Sequence, residues 1–262
     1  MVTSTQTPLA VSRCWAHALD ECSQKISREH LFSAALFPDT KCVTVSGFPW
    51  LKGETKTVGL ANVTSKILCS KHNSRLSPLD SAAGAAFKAF NDSAVLWNKR
   101  LSEKPSKFKV RHFRVNGVLL ERWLLKTLIN LCSESGLLVG SKAMKPGIPD
   151  ESLVRICFGL ERFAGKSGLY LAAQVGANVN SGPAIGFAPL IFDGTHVAGG
   201  FFHFRGFLIF MSLLEELLPS NFDWVSSLGD TSEWAGTRPT WHFQKIVIKI
   251  NQVRSSVIHF DW

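Results

Sequence analysis

Two separated segments hold the residue types that bind metals and move protons. Residues 22–30 read CSQKISREH, and residues 67–73 read ILCSKHN. Zn²⁺ asks for four soft or borderline donors at the corners of a tetrahedron, and thiolate and imidazole are such donors. Cys14 and Cys22 offer one pair, Cys69 and His72 another, and the chain between them can fold back as a β-hairpin. The arrangement expected is a treble clef, with two ligands on a knuckle and two at a helix start. A Cys-x-x-His just ahead of a helix turns both side chains toward one point, so Cys69 and His72 are the stronger pair. The first pair is looser, and His17, in the run Cys14, Trp15, Ala16, His17, competes with Cys22 for the fourth place.

Glu29, His30 and Asn73 belong to a different chemistry. Phosphodiester hydrolysis needs a water deprotonated near neutral pH and a cation that absorbs charge on the phosphate. A histidine at the end of a strand can serve as that base. A neighbouring carboxylate and an amide oxygen from a facing helix can hold one Mg²⁺ or Mn²⁺. Glu29, His30 and Asn73 supply this set if the hairpin packs on the helix that follows Cys69.

The elements that must place these residues are legible in part. Residues 1–12 read as a flexible leader. Cys42–Ser46 is β-prone, and the Ala-rich stretch 77–101 reads as one helix, or as two hinged near Asn91 and Asp92. Pro78 suits a first helical position, which puts the helix start near Ser77. Val118–Cys132 is a helix by its apolar spacing, with Glu121, Arg122 and Lys126 as its polar residues. Further on, residues 153–158, 169–175, 184–192, 197–210, 245–250 and 256–262 read as strands. Trp224, Trp234, Trp241 and Trp262 are expected to fill the core or cover edges. The fold class expected is α+β: a zinc-stapled ββα module over residues 13–104, then a helix and a mostly antiparallel β region over residues 105–262.

Net charge is +9 in 262 residues and is unevenly placed. Residues 1–110 carry 15 Lys and Arg against 8 Asp and Glu, whereas residues 111–262 carry 14 against 12. A basic N-terminal half suits a polyanionic partner, because neutralising phosphates supplies most non-specific affinity for nucleic acid. Between Lys99 and Arg114 seven Lys and Arg face the single Glu103, which suits a solvated linker or a path for a DNA backbone equally. The first residues lack the basic and apolar regions of a secretory signal, and the apolar tract Val197–Leu218 is broken by charges. Six irregularly spaced cysteines make no disulfide framework. A cytoplasmic protein without a membrane segment is expected.

The acidic-His pair followed by Leu-Cys-x-x-His-Asn resembles the zinc-bound branch of the HNH (ββα-metal) endonuclease family, in the form found in a group of bacterial proteins. The resemblance covers residues 14–90. It implies His30 as general base, Glu29 and Asn73 as ligands of a catalytic Mg²⁺ or Mn²⁺, and Asn62 as the residue that orients the loop and the base. It also implies a structural Zn²⁺ on Cys14, Cys22, Cys69 and His72. Cys22 is preferred over His17 because it stands eight residues before His30, near the family's offset. The sequence departs from the family pattern in having Glu29 where Asp is commoner, Asn73 for the final His, and His72 for a zinc Cys. The activity implied is cleavage of nucleic acid, DNA first, with a restriction or defence role by fold-level analogy. A non-catalytic zinc-containing binding or scaffold protein with a degenerate centre is the alternative. Residues 105–262 leave room for a protein partner or self-association.

Overall fold

The computed structural model describes residues 13–37, 40–133, 135–171, 184–204, 207–215 and 240–262. The expected leader, Trp224 and Trp234 lie outside these. Strands β1 (Ile26–His30) and β4 (Thr64–Cys69) form an antiparallel hairpin, pairing Ile26 with Cys69 and His30 with Thr64. The chain then enters helix α1 (Ser70–Arg100), 31 residues long.

Helix α1 begins seven residues earlier than Pro78 suggested and passes the proline without ending. The Cys69 thiol caps it by accepting the His72 backbone N–H, 3.4 Å away. Proline has no N–H to give the Ser74 carbonyl, which ordinary i−4 bonding would require. The Ser77 hydroxyl donates to that carbonyl instead, at 2.9 Å. No hinge separates Asn91 from Asp92.

Between β1 and β4 the chain leaves the hairpin to make β2 (Cys42–Ser46) and β3 (Lys56–Gly59). These extend an eight-stranded sheet whose other members come from beyond residue 104. They are β6 (Leu138–Val139), β7 (Gly168–Leu171), β8 (Ala184–Phe192), β9 (His196–Phe204), β10 (Phe207–Ser212) and β11 (Thr240–Trp241). The order is β11-β7-β10-β9-β8-β2-β3, with β6 on β9, and β2 runs parallel to β8. Gly47 makes that junction close. Its φ is +74°, and a Cβ there would fall 1.8 Å from the Phe187 carbonyl oxygen. The expected division at residue 104 is therefore crossed by one sheet and one continuous apolar core.

A smaller sheet holds β12 (Lys245–Ile250), β13 (Val253–Asp261) and β5 (Arg111–Asn116), with β13 in the middle. Helix α2 (Gly117–Cys132) is buried nearly all round, including Glu121 and Lys126, which the sequence pattern had treated only as its polar residues. Residues 153–158, expected as a strand, lie mostly in helix α3 (Glu151–Cys157). Its start is fixed by Asp150, whose carboxylate accepts the Ser152 N–H. The run 197–210 is two paired strands, β9 and β10. Trp241 and Trp262 stack on either side of His242, with ring centroids 4.1 and 4.2 Å away. No helix among the described residues is long and apolar enough to cross a membrane.

Candidate metal centre and the neighbouring polar cluster

The segment ahead of β1 is tied to the hairpin by the Trp15 N–H, which donates to the Ile67 carbonyl at 3.0 Å. Asp20 and Glu21 both take positive φ, 58° and 54°, and turn the chain so that Cys22 returns toward Cys14. Cys69 and His72 arrive from the end of β4 and the first turn of α1. The donor atoms of Cys14, Cys22, Cys69 and His72 all lie within 4.8 Å of one another, so these residues form a group able to hold a metal ion. The His72 Nδ1 atom is 3.3, 3.6 and 3.4 Å from the sulfurs of Cys14, Cys22 and Cys69. A tetrahedral ion about 2.3 Å from sulfur and about 2.0 Å from nitrogen would separate the two donors by about 3.5 Å. The three nitrogen–sulfur separations are close to those of a tetrahedral S₃N site.

His17 lies in the short turn His17–Leu19 and is not part of the quartet; Cys22 completes it. All six cysteines are free thiols. Burial pushes the Cys14 thiol up to about 12 and raises Cys22 as well. Burial also acts upward on Cys69, but the His72 backbone N–H and Ser23 outweigh it and bring the thiol below its ordinary value. His72 is lowered by burial and by Arg75 and Lys71, which favours the neutral, ligating ring. Its Nε2 is buried without a hydrogen-bond partner, and the Phe158 ring packs edge-on with centroids 5.5 Å apart.

Glu29 is 4% exposed. Its carboxylate accepts from Lys126 at 2.7 Å and from the Asn130 amide at 3.4 Å. The same ammonium reaches both Asp80 oxygens, at 3.0 and 2.8 Å, and Asp80 also accepts from the Trp123 indole at 3.2 Å. Burial raises the Glu29 carboxyl above its ordinary value, and Lys126 only partly offsets this. Burial also opposes the Lys126 charge, but Glu29 and Asp80 outweigh it and raise the ammonium.

Strand alternation places neighbours 29 and 30 on opposite faces of the hairpin. His30 is half-buried, and its carbonyl accepts from Asn130 at 3.2 Å. Asn73 is half-buried in the first turn of α1. Asn62 is exposed at the end of the turn Leu60–Asn62, where it lines a cavity of about 400 Å³ with Trp50, Thr64, Leu131 and Ser135. Among the described residues the Cys₃His quartet is the one convergence of three or more His, Cys, Asp or Glu donors. Glu29 and His30 take no part in another. As placed, Glu29 does not fit a catalytic divalent ion, because its carboxylate is buried and committed to Lys126.

Sequence reasoning missed Lys126, Asn130 and Asp80 as members of this cluster. The available signal was Lys126 and Asn130, four residues apart on a helix that is apolar over most of its length. Compared with known proteins, the chain matches no family model, no curated protein and no solved structure.

Proposed function

We propose that the chain is a nucleic-acid-binding protein organised by a structural Zn²⁺, with an HNH-type centre that does not cut. The Cys₃His donor set is the soft, closed type that suits zinc, and it leaves no open position for a substrate. The observation that carries the non-catalytic part is the Lys126 ammonium between the Glu29 and Asp80 carboxylates. It supplies inside the fold the positive charge that a nuclease of this type takes from a divalent ion. The binding part rests on the net charge of +9.

An active endonuclease with His30 as general base is the second reading. The order β1, β4, α1 and the half-buried His30 at the end of β1 favour it. The two part on a labelled DNA duplex incubated with the zinc-loaded protein and Mn²⁺. The proposal expects a shifted band on a native gel and intact strands on a denaturing gel. Specific strand scission would overturn it.

A further inference from the structure

The small sheet β12-β13-β5 turns one face to helix α1, and its opposite face carries exposed charged side chains around the buried Val257. Ile248, Ile250, Ile258, Phe260 and Val115 are buried on the inward side. The register sets Lys245 beside His259 and His259 beside Arg114, in one row across all three strands. Lys245 and Arg114 are exposed, as are Lys249 and its partner Arg254 further along the sheet. His112 and His259 stack on this side and share a hydrogen bond, Nδ1 to Nε2 at 2.9 Å. The one carboxylate among these residues, Asp261, pairs with Arg114 at 3.5 Å. The chain approaches β5 through Lys104, Lys107 and Lys109 and begins it with Arg111, all exposed. Residues far apart in sequence thus build one cationic surface.

We infer that this face is the nucleic-acid contact surface and that it grips the phosphate backbone. The inference rests on the function proposed above. Charge complementarity selects the partner, since four exposed Lys and Arg lie on one face of three adjacent strands and three exposed Lys lie on the approach to β5. Aromatic stacking is not part of the grip, because Phe113 and Phe260 belong to the inward side. Recognition through phosphates without stacked bases is sequence-tolerant and strongly salt-dependent.

Arg100 anchors the surface to the rest of the fold. Its buried guanidinium donates to the Ser255 and Lys109 carbonyls, at 2.6 and 2.7 Å, joining the end of α1 to β13 and to the chain entering β5. His72 stands at the other end of α1, about 42 Å away at 1.5 Å per residue. The contact surface and the metal centre are therefore separable by mutation.

The test is the salt dependence of duplex binding by the full chain, read by fluorescence anisotropy. Four to five neutralised phosphates give wild type a slope of log Kd on log salt of about four. The variant Lys245→Gln, Lys249→Gln, Arg254→Gln should lower that slope by about three and weaken binding at least about tenfold near 100 mM salt. Lys249→Gln alone, at an exposed position, should lower it by about one. An equal-charge control on the hairpin, Lys25→Gln, Arg28→Gln, Lys66→Gln, should bind like wild type. Wild-type slope in the sheet variant, with binding lost in the hairpin variant, would overturn this surface and leave the proposed function standing. No binding by wild type to duplex DNA, single strands or RNA near 50 mM salt would overturn the function itself. Equal affinity for polyglutamate would overturn nucleic acid as the partner.

Discussion

The Lys126 ammonium lies 2.7 Å from the Glu29 carboxylate, with only 3% and 5% of the two side chains exposed. One charge from α2 thus meets the hairpin strand β1, and through Asp80 it also meets α1. A buried pair of this kind is not a large net source of stability, because both ions lose their hydration. Breaking it from one side is costly, since the remaining charge stays buried and unpaired.

Lys126→Met should therefore destabilise the protein by about 3–5 kcal/mol in chemical denaturation. The loss should shrink as pH falls. Burial raises the folded-state pKa of Glu29, so a Glu29 without its lysine destabilises the fold above the unfolded-state value, where the unfolded carboxyl is ionised. Protonation as the pH falls lets the buried carboxyl go neutral and recovers part of the loss. A deficit in Lys126→Met that is the same at pH 5 and pH 8 would contradict this account.

The second prediction follows from what the ammonium displaces. Lys126→Ala leaves Glu29 and Asp80 facing the space it occupied, and two carboxylates there can take a divalent cation. Millimolar Mn²⁺ should raise the melting temperature of Lys126→Ala and leave wild type unchanged, with the bound ion read by electron paramagnetic resonance. A wild type that takes up Mn²⁺ as readily as the variant would show that lysine does not fill a cation seat.

Metal content provides a third test. One Zn²⁺ per chain is expected by elemental analysis, and Cys69→Ser or His72→Ala should abolish it, while His17→Ala should retain it. Zinc requires deprotonated thiols, and burial holds Cys14 at about 12 without an ion, so binding releases protons and weakens as pH falls. Chelation should loosen the segment ahead of β1 first, seen as faster amide exchange at Trp15.

Gly47→Ala tests the union of the two halves of the chain. The positive φ costs about 1–3 kcal/mol for a residue with a side chain. Overpacking against the Phe187 carbonyl adds about 1–3 kcal/mol. A loss of about 2–6 kcal/mol in one cooperative unfolding transition is expected. Separate transitions for residues before and after 104 would contradict the shared sheet.

The parts legible in the sequence were those encoded locally. Cys69 and His72 sit three apart at a helix start, so their convergence followed from spacing, and Cys14 and Cys22 completed the set. Helix 118–132 showed in its apolar period, and β12 in the alternation KIVIKI. Pro78 misled because the Ser77 hydroxyl serves the carbonyl that proline leaves bare, which no propensity records. Residues 153–158 misled because a short apolar run fits strand and helix alike, and the deciding signal was the capping Asp150. The cluster of Glu29, Asp80 and Lys126 was not legible, since its members come from three elements brought together only by packing. The pairing of β2 with β8 is of the same long-range kind.

The most direct test is nicking of supercoiled plasmid in Mg²⁺ or Mn²⁺ by wild type and His30→Ala, at matched zinc content and at concentrations where both bind DNA. The account predicts bound plasmid that stays supercoiled with either protein. Nicking by wild type that is lost in His30→Ala would contradict it and assign His30 as the base of an active endonuclease.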